Sequence, residues 1–160
     1  MTTRIGIGFD AHKFQCGETL ILGGVSIPYK KSLSGHSDGD VVVHSIIDAL
    51  LGASNLGTKG QHFPSSNANL KGISSLIMLE NIGGLLLNAG WQVVNLDATI
   101  LAQRPKQEQL FKLMANRISL TLNIQESSVS IKATTTDHMG FIGREEGIAT
   151  YAVALIESKP

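Results

Sequence analysis

The chain is expected to fold as an α/β (α+β) sandwich: a four-stranded main sheet with helices packed on one face, plus a short hairpin near the N-terminus. Two observations carry this expectation. Strand-like segments rich in alternating or β-branched apolar residues interleave with segments whose apolar residues recur at helical spacing. No repeat, linker or low-complexity stretch interrupts them, so residues 1–160 read as a single domain.

The elements follow in order. Ile5, Ile7 and Phe9 alternate with smaller residues, and Leu20 to Gly24 is an apolar run ended by Gly-Gly; both read as strands. Ser32 to Gly39 is a polar loop. Asp40 to Ala53 carries apolar residues at 43, 46, 47, 50 and 51, which predicts a helix with Ser37 or Asp38 as its N-cap. Thr58 to Gly72, rich in Gly, Ser and Asn, reads as a long loop of the kind that often carries function. Ile73 to Ala89 is a second helix ended by Gly90. Gln92 to Ala102 is a strand, Lys106 to Leu122 a third helix after Pro105, and Val129 to Thr134 and Ile148 to Ile156 are the last strands.

Composition narrows the function. Apolar residues make up 42% and charged residues 16%, enough for a packed core. Thirteen basic residues balance thirteen acidic ones, so the cationic field of a nucleic-acid or membrane-surface binder is missing. Neither partner is expected. The one cysteine, Cys16, cannot form an internal disulfide, and the sequence enters a strand directly after Met1. A cytoplasmic location is the expectation.

Asp10 and His12, two apart on a strand, point to one face, and His44 lies one turn into the next helix. Together they make a three-ligand set with an open fourth position, as catalytic zinc sites have. Taken singly, each also reads as a capping aspartate, a surface histidine or a helix-face histidine. Asp40, His44 and Asp48 share i, i+4, i+8 spacing, and Asp40 is a candidate for orienting a ligand. Lys132-Ala-Thr-Thr-Thr-Asp137 leaves a strand before the glycine-rich turn Gly140–Gly143. Its hydroxyls and amides suit phosphate oxygens, and Asp137 suits a hard cation such as Mg²⁺. Ala102 to Lys106 closes a strand and opens a helix, where Lys106 and free N–H groups can meet an anion.

Gly8-Phe-Asp-Ala-His12, Leu22-Gly-Gly-Val-Ser-Ile-Pro28, His36-Ser-Asp-Gly-Asp40, His44 through Asp48-Ala-Leu-Leu-Gly52, Lys132-Ala-Thr-Thr-Thr136 and Gly140-Phe-Ile-Gly-Arg144 occur in this order. In order and spacing they resemble the 2-C-methyl-D-erythritol 2,4-cyclodiphosphate synthases, over essentially the whole chain. The resemblance implies a homotrimer with active sites between subunits and one Zn²⁺ per subunit on Asp10, His12 and His44. It implies a cytidine diphosphate substrate, 4-diphosphocytidyl-2-C-methyl-D-erythritol 2-phosphate, closed to the cyclic diphosphate with release of CMP in the non-mevalonate isoprenoid pathway.

The same resemblance assigns roles. His36 and Thr135 would assist the transition state. Asp10, His12, His36, Ser37, Asp48, Gly60 and Phe63 would lie along the methylerythritol and phosphate end. Ala102 to Glu108, Lys106 among them, and Thr134, Thr135, Thr136 and Asp137 would hold the cytidine diphosphate, Asp137 with Mg²⁺ or Mn²⁺. Phe141 and Arg144 would lie near the substrate or a central channel able to take an isoprenoid diphosphate. The chain departs from the family pattern at four places: Thr58 for Asp, Ser65-Ser-Asn67 for an acidic stretch, Asp137 for Glu, and Glu145 for Gly. Two rival readings use the same residues, a zinc phosphohydrolase and a non-catalytic nucleotide- or isoprenoid-diphosphate-binding homologue.

Overall fold

The computed structural model describes residues 2–159. The alternation near the N-terminus makes a long strand, β1 (Thr3–Cys16), whose larger side chains face away from the helices: Ile5 is 74% and Ile7 69% exposed. Its helix-facing positions are Gly6 and Gly8. A Cβ there would lie 2.0 Å from the Ala49 carbonyl oxygen and 1.8 Å from that of Ser45. Only glycine lets the first helix, α1 (Val41–Ser54), lie this close to the strand.

The remaining strands are β2 (Thr19–Leu22), β3 (Val25–Pro28), β4 (Lys31–Leu33), β5 (Trp91–Leu101), β6 (Val129–Thr134) and β7 (Gly147–Ser158). The helices are α2 (Lys59–His62), α3 (Ser75–Asn88), α4 (Phe111–Leu122) and the single turn α5 (Gly140–Gly143). The main sheet has five strands, not four, in the order β4-β1-β7-β5-β6. The extra one arises because β1 runs past His12 and pairs Phe14–Cys16 with Leu33–Lys31. The expected hairpin is β2–β3, a separate two-stranded sheet. Helices α1, α3 and α4 cover one face, and Ile46, Ile47, Leu50, Leu79, Ile82 and Met114 fill the layer between them and Leu96, Ile100 and Ile156. Among the described residues, no helix is long and apolar enough to cross a membrane.

Two boundaries differ from expectation. The N-cap of α1 is Asp40, not Ser37 or Asp38. Its buried carboxylate accepts from the N–H groups of Val42 and Val43 (3.1 Å each) and from those of Gly23 (2.9 Å) and Gly24 (2.7 Å). Gly23 and Gly24 are the turn of the β2–β3 hairpin, both at positive φ as a two-residue turn requires. Burial pushes the Asp40 carboxyl up to about 6 against the pull of these amides, so it is ionised at neutral pH. Asp40 is therefore a structural anchor between helix and hairpin, not a helix-face residue that orients a ligand. Asp40→Ala leaves four N–H groups unpaired, three of them buried, at Gly23, Val42 and Val43, and is expected to cost about 3 kcal/mol in chemical denaturation. A cost below about 0.5 kcal/mol would show that water replaces the carboxylate there.

The third helix starts at Phe111, after a 3₁₀ turn at Glu108–Leu110, rather than at Lys106. The Ala102 N–H donates to the Thr134 carbonyl (3.0 Å), so strand-like pairing with β6 continues past β5. Gln107 is buried at φ −134°, outside helical range. Lys106 consequently does not stand at a helix N-terminus.

Candidate metal centre

The close approach of α1 to β1 makes the site. Asp10 and His12 are on the helix-facing side of β1, and His44, in the first turn of α1, comes down on them. Asp10 Oδ2 lies 2.9 Å from His44 Nδ1 and 3.1 Å from His12 Nε2, and the two ring nitrogens are 3.3 Å apart. Three ligand-capable atoms thus converge on one small volume. Burial alone would raise the Asp10 carboxyl, but the hydrogen bonds from His12 and His44 and the nearby Lys59 charge hold it well below the usual carboxylate range.

The outer nitrogen of His44 is also fixed. Its Nε2 is 2.9 Å from both the Ser37 and the Ser75 hydroxyl, and Ser75 donates its N–H and its O–H to Asp38. Asp38, two residues before the one expected, is thus the carboxylate that orients a histidine of the set. Ser75 begins α3 and sits 31 residues from His44 in sequence, so no local signal announces this contact.

A cavity of about 150 Å³ opens beside the three ligand atoms. His12, His36, Ser37, His44, Lys59, Gly60 and Phe63 line it, with Leu70, Ile73 and Met78 as an apolar wall. The expected loop between Thr58 and Gly72 contains α2 and a 3₁₀ turn at Ala68–Leu70. Thr58 caps α2 in a reciprocal capping box with Gln61, and this puts Lys59 at the cavity. Lys59 Nζ is 3.2 Å from Asp10 Oδ1, the oxygen turned away from the histidines. Asp48, half-buried one turn beyond His44, has its carboxyl raised by burial, with Lys59 pulling the other way.

The other expected site residues lie elsewhere on the chain. Thr134 ends β6, and Thr135, Thr136 and Asp137 follow it in an exposed turn with Asp137 at φ 55°. Thr136 Oγ1 donates to the Met139 carbonyl (2.6 Å), and the Asp137 N–H reaches Thr135 Oγ1 at 3.4 Å. Two strands, β7 and β5, separate β6 from β1, about 14 Å at ordinary strand spacing. Ala102 packs beside Thr134, and Lys106 is exposed. Phe141 lines an apolar hollow of about 200 Å³ with Phe9 and Tyr151. Arg144 pairs with Glu146 at 2.6 Å. Among the described residues, the expected site residues therefore fall in two separate groups, and the first of them holds the converging ligand atoms.

The sequence model of the YgbB family matches residues 3–157. A protein of Syntrophomonas wolfei named 2-C-methyl-D-erythritol 2,4-cyclodiphosphate synthase is 50% identical over 154 residues, 96% of this chain and 98% of that protein. A protein of the same name from Pelotomaculum thermopropionicum is 50% identical over 153 residues, 96% of this chain and 94% of its own length. Among solved structures, the Plasmodium falciparum IspF CDP complex superposes with a TM-score of 0.87 at 35% identity, covering 99% of this chain and 97% of that one. The bifunctional IspDF of Campylobacter jejuni gives a TM-score of 0.94 at 36% identity over 98% of this chain, which spans 42% of that protein.

Proposed function

The chain belongs to the YgbB family, the 2-C-methyl-D-erythritol 2,4-cyclodiphosphate synthases, and on that premise we infer that it carries out their reaction. It converts 4-diphosphocytidyl-2-C-methyl-D-erythritol 2-phosphate to the cyclic diphosphate and CMP. The observation that carries this for the chain's own residues is the convergence of Asp10 Oδ2, His12 Nε2 and His44 Nδ1 beside a cavity of phosphate size.

The chemistry asks little of a general acid or base. An oxygen of the 2-phosphate, already anionic, forms a bond to the β-phosphorus. The bond from that phosphorus to the oxygen bridging the α-phosphorus breaks, and CMP leaves with the electron pair. Charge neutralisation and positioning remain, the larger part of phosphoryl-transfer catalysis. One carboxylate and two imidazoles suit zinc, which would supply Lewis acidity when held by Asp10, His12 and His44. The Ser75 hydroxyl, whose proton goes to Asp38, can accept from His44 Nε2, so that Nδ1 would present its lone pair to a metal in place of its contact with Asp10. Asp48, Gly60 and Phe63 would bound the methylerythritol, and His36, exposed at the cavity, would meet the phosphate end.

The second group would hold the cytidine diphosphate: Thr134, Thr135 and Thr136 on phosphate oxygens, Ala102 and Lys106 near the cytidine, and Asp137 on Mg²⁺ or Mn²⁺. His36 and Thr135 act on one transition state in this reading only if neighbouring chains contribute them, which a cyclic trimer allows. Phe141, in the wall of the apolar hollow, and Arg144, three residues on, are the candidates for an isoprenoid diphosphate. The reading places the protein in the cytoplasm, where a lone cysteine such as Cys16 stays reduced.

Phosphorus NMR of the protein with the cytidylyl substrate and Mg²⁺ is expected to show CMP and a cyclic diphosphate in equal amounts. An open-chain phosphate product would mean a phosphohydrolase instead. The uridylyl analogue is expected to react at least about 100-fold more slowly, since a site that hydrogen-bonds a base edge rejects one that leaves its partners unpaired. Equal kcat/KM for the two would remove the 102–106 segment from base recognition.

A further inference from the structure

Lys59 is the only lysine or arginine lining the cavity beside the three ligand atoms, among the described residues. Three observations fix its position. The capping box of Thr58 and Gln61 sets the short helix on which it stands. Its Nζ holds Asp10 Oδ1 at 3.2 Å, while Oδ2 of the same carboxylate faces His12 and His44. Its side chain is 23% exposed, so it is partly withdrawn from solvent and still open to the cavity.

The two oxygens of Asp10 therefore face different partners, the histidine pair on one side and the Lys59 ammonium on the other. Oδ2 would serve a metal held with His12 and His44, while Oδ1 already holds the ammonium. An anion entering the cavity next to the metal position must pass within reach of Lys59 Nζ, which has donors to spare after one bond to Asp10. We propose that Lys59 binds an oxygen of the substrate phosphate that enters the metal centre, as a protein-borne cation working beside the metal. This deepens the synthase reading and rests on it. The ammonium has a second, opposite effect: without an anion between them, it and a divalent ion on the same carboxylate repel each other. Lys59 thus lowers the centre's hold on bare metal and raises its hold on metal with phosphate.

The test uses inorganic pyrophosphate as probe, so it does not depend on turnover. Binding to the zinc-loaded protein is measured by calorimetry for the parent, Lys59→Met and Lys59→Arg, and zinc affinity is measured separately by chelator competition. Lys59→Met is expected to bind pyrophosphate about 10- to 100-fold more weakly, the range for a lost charge-assisted hydrogen bond. Lys59→Arg should recover most of that. Zinc affinity of Lys59→Met should equal or exceed the parent's. Pyrophosphate affinity unchanged in Lys59→Met overturns the proposal, as does loss of zinc from that variant or a parent that takes up none. Absence of CMP release from the parent would instead defeat the synthase reading and leave the pyrophosphate comparison standing.

Discussion

His44→Ala is expected to lose zinc and to slow CMP release by two to three orders of magnitude while leaving the fold in place. His44 supplies one of three converging ligand atoms, and its ring is held on three sides: Asp10 at Nδ1, Ser37 and Ser75 at Nε2. Removing it leaves two ligands on one strand, too few to retain the metal, and strands the Ser75–Asp38 pair with no imidazole to orient. Loss of electrostatic stabilisation of this kind costs roughly 3–4 kcal/mol in the barrier, or two to three orders of magnitude in rate. The stability cost is smaller, about 1–3 kcal/mol for hydrogen-bonding groups left without a partner, because the apolar side of α1 is untouched. The measurements are metal analysis, phosphorus NMR and chemical denaturation on one preparation. A parent without zinc, or a variant with full activity, would sink the assignment.

The sequence foretold the elements better than their edges, and the reasons are physical. Periodicity in α1 and the alternation of β1 come from local rules, so both were legible. The Asp10–His12 pair was legible from strand parity, whereas the meeting with His44 needed the family resemblance, since it depends on α1 packing over Gly6 and Gly8. The fifth strand was not legible. β4 is three residues long and exists only because β1 overruns His12, a length no local pattern reports. The late start of α4 escaped for a related reason: Gln107 is drawn into the interior and Ala102 stays paired with Thr134, so tertiary contacts overrule the helix signal after Pro105. Asp38 and Lys59 were missed as site residues since each reaches the centre through a partner far along the chain, Ser75 in one case and Asp10 in the other. Asp40 drew attention for its spacing, yet four backbone amides claim it.

Ile7→Asp is expected to break the protein into single chains, with loss of turnover and retention of zinc. The sheet face away from the helices carries Ile5, Ile7 and Phe9 on β1 and Tyr151 and Val153 on the adjacent β7, all exposed, with Phe9 and Tyr151 rings 4.8 Å apart. A contiguous apolar patch on an open sheet is unusual for a protein that works alone, and each large side chain covered is worth about 1.5–3 kcal/mol. A second, independent requirement points the same way. On the proposed reading the substrate spans the metal set on β1 and the Thr134–Asp137 turn after β6, with two strands between them, and neighbouring chains would supply the two. A head-to-tail contact between the β6 side of one chain and the β1 side of the next would form a ring if its rotation closes, and the synthase resemblance implies three chains. Sedimentation of the parent should then give about 51 kDa, three times the chain mass of 17.0 kDa, and that of Ile7→Asp the chain mass alone. The variant keeps Asp10, His12 and His44 on one chain, so zinc should remain while CMP release falls at least about 100-fold, as misplacement of reacting groups permits. A parent that sediments as one chain and is fully active would defeat the shared site, and the two groups would have to be joined by movement within a single subunit.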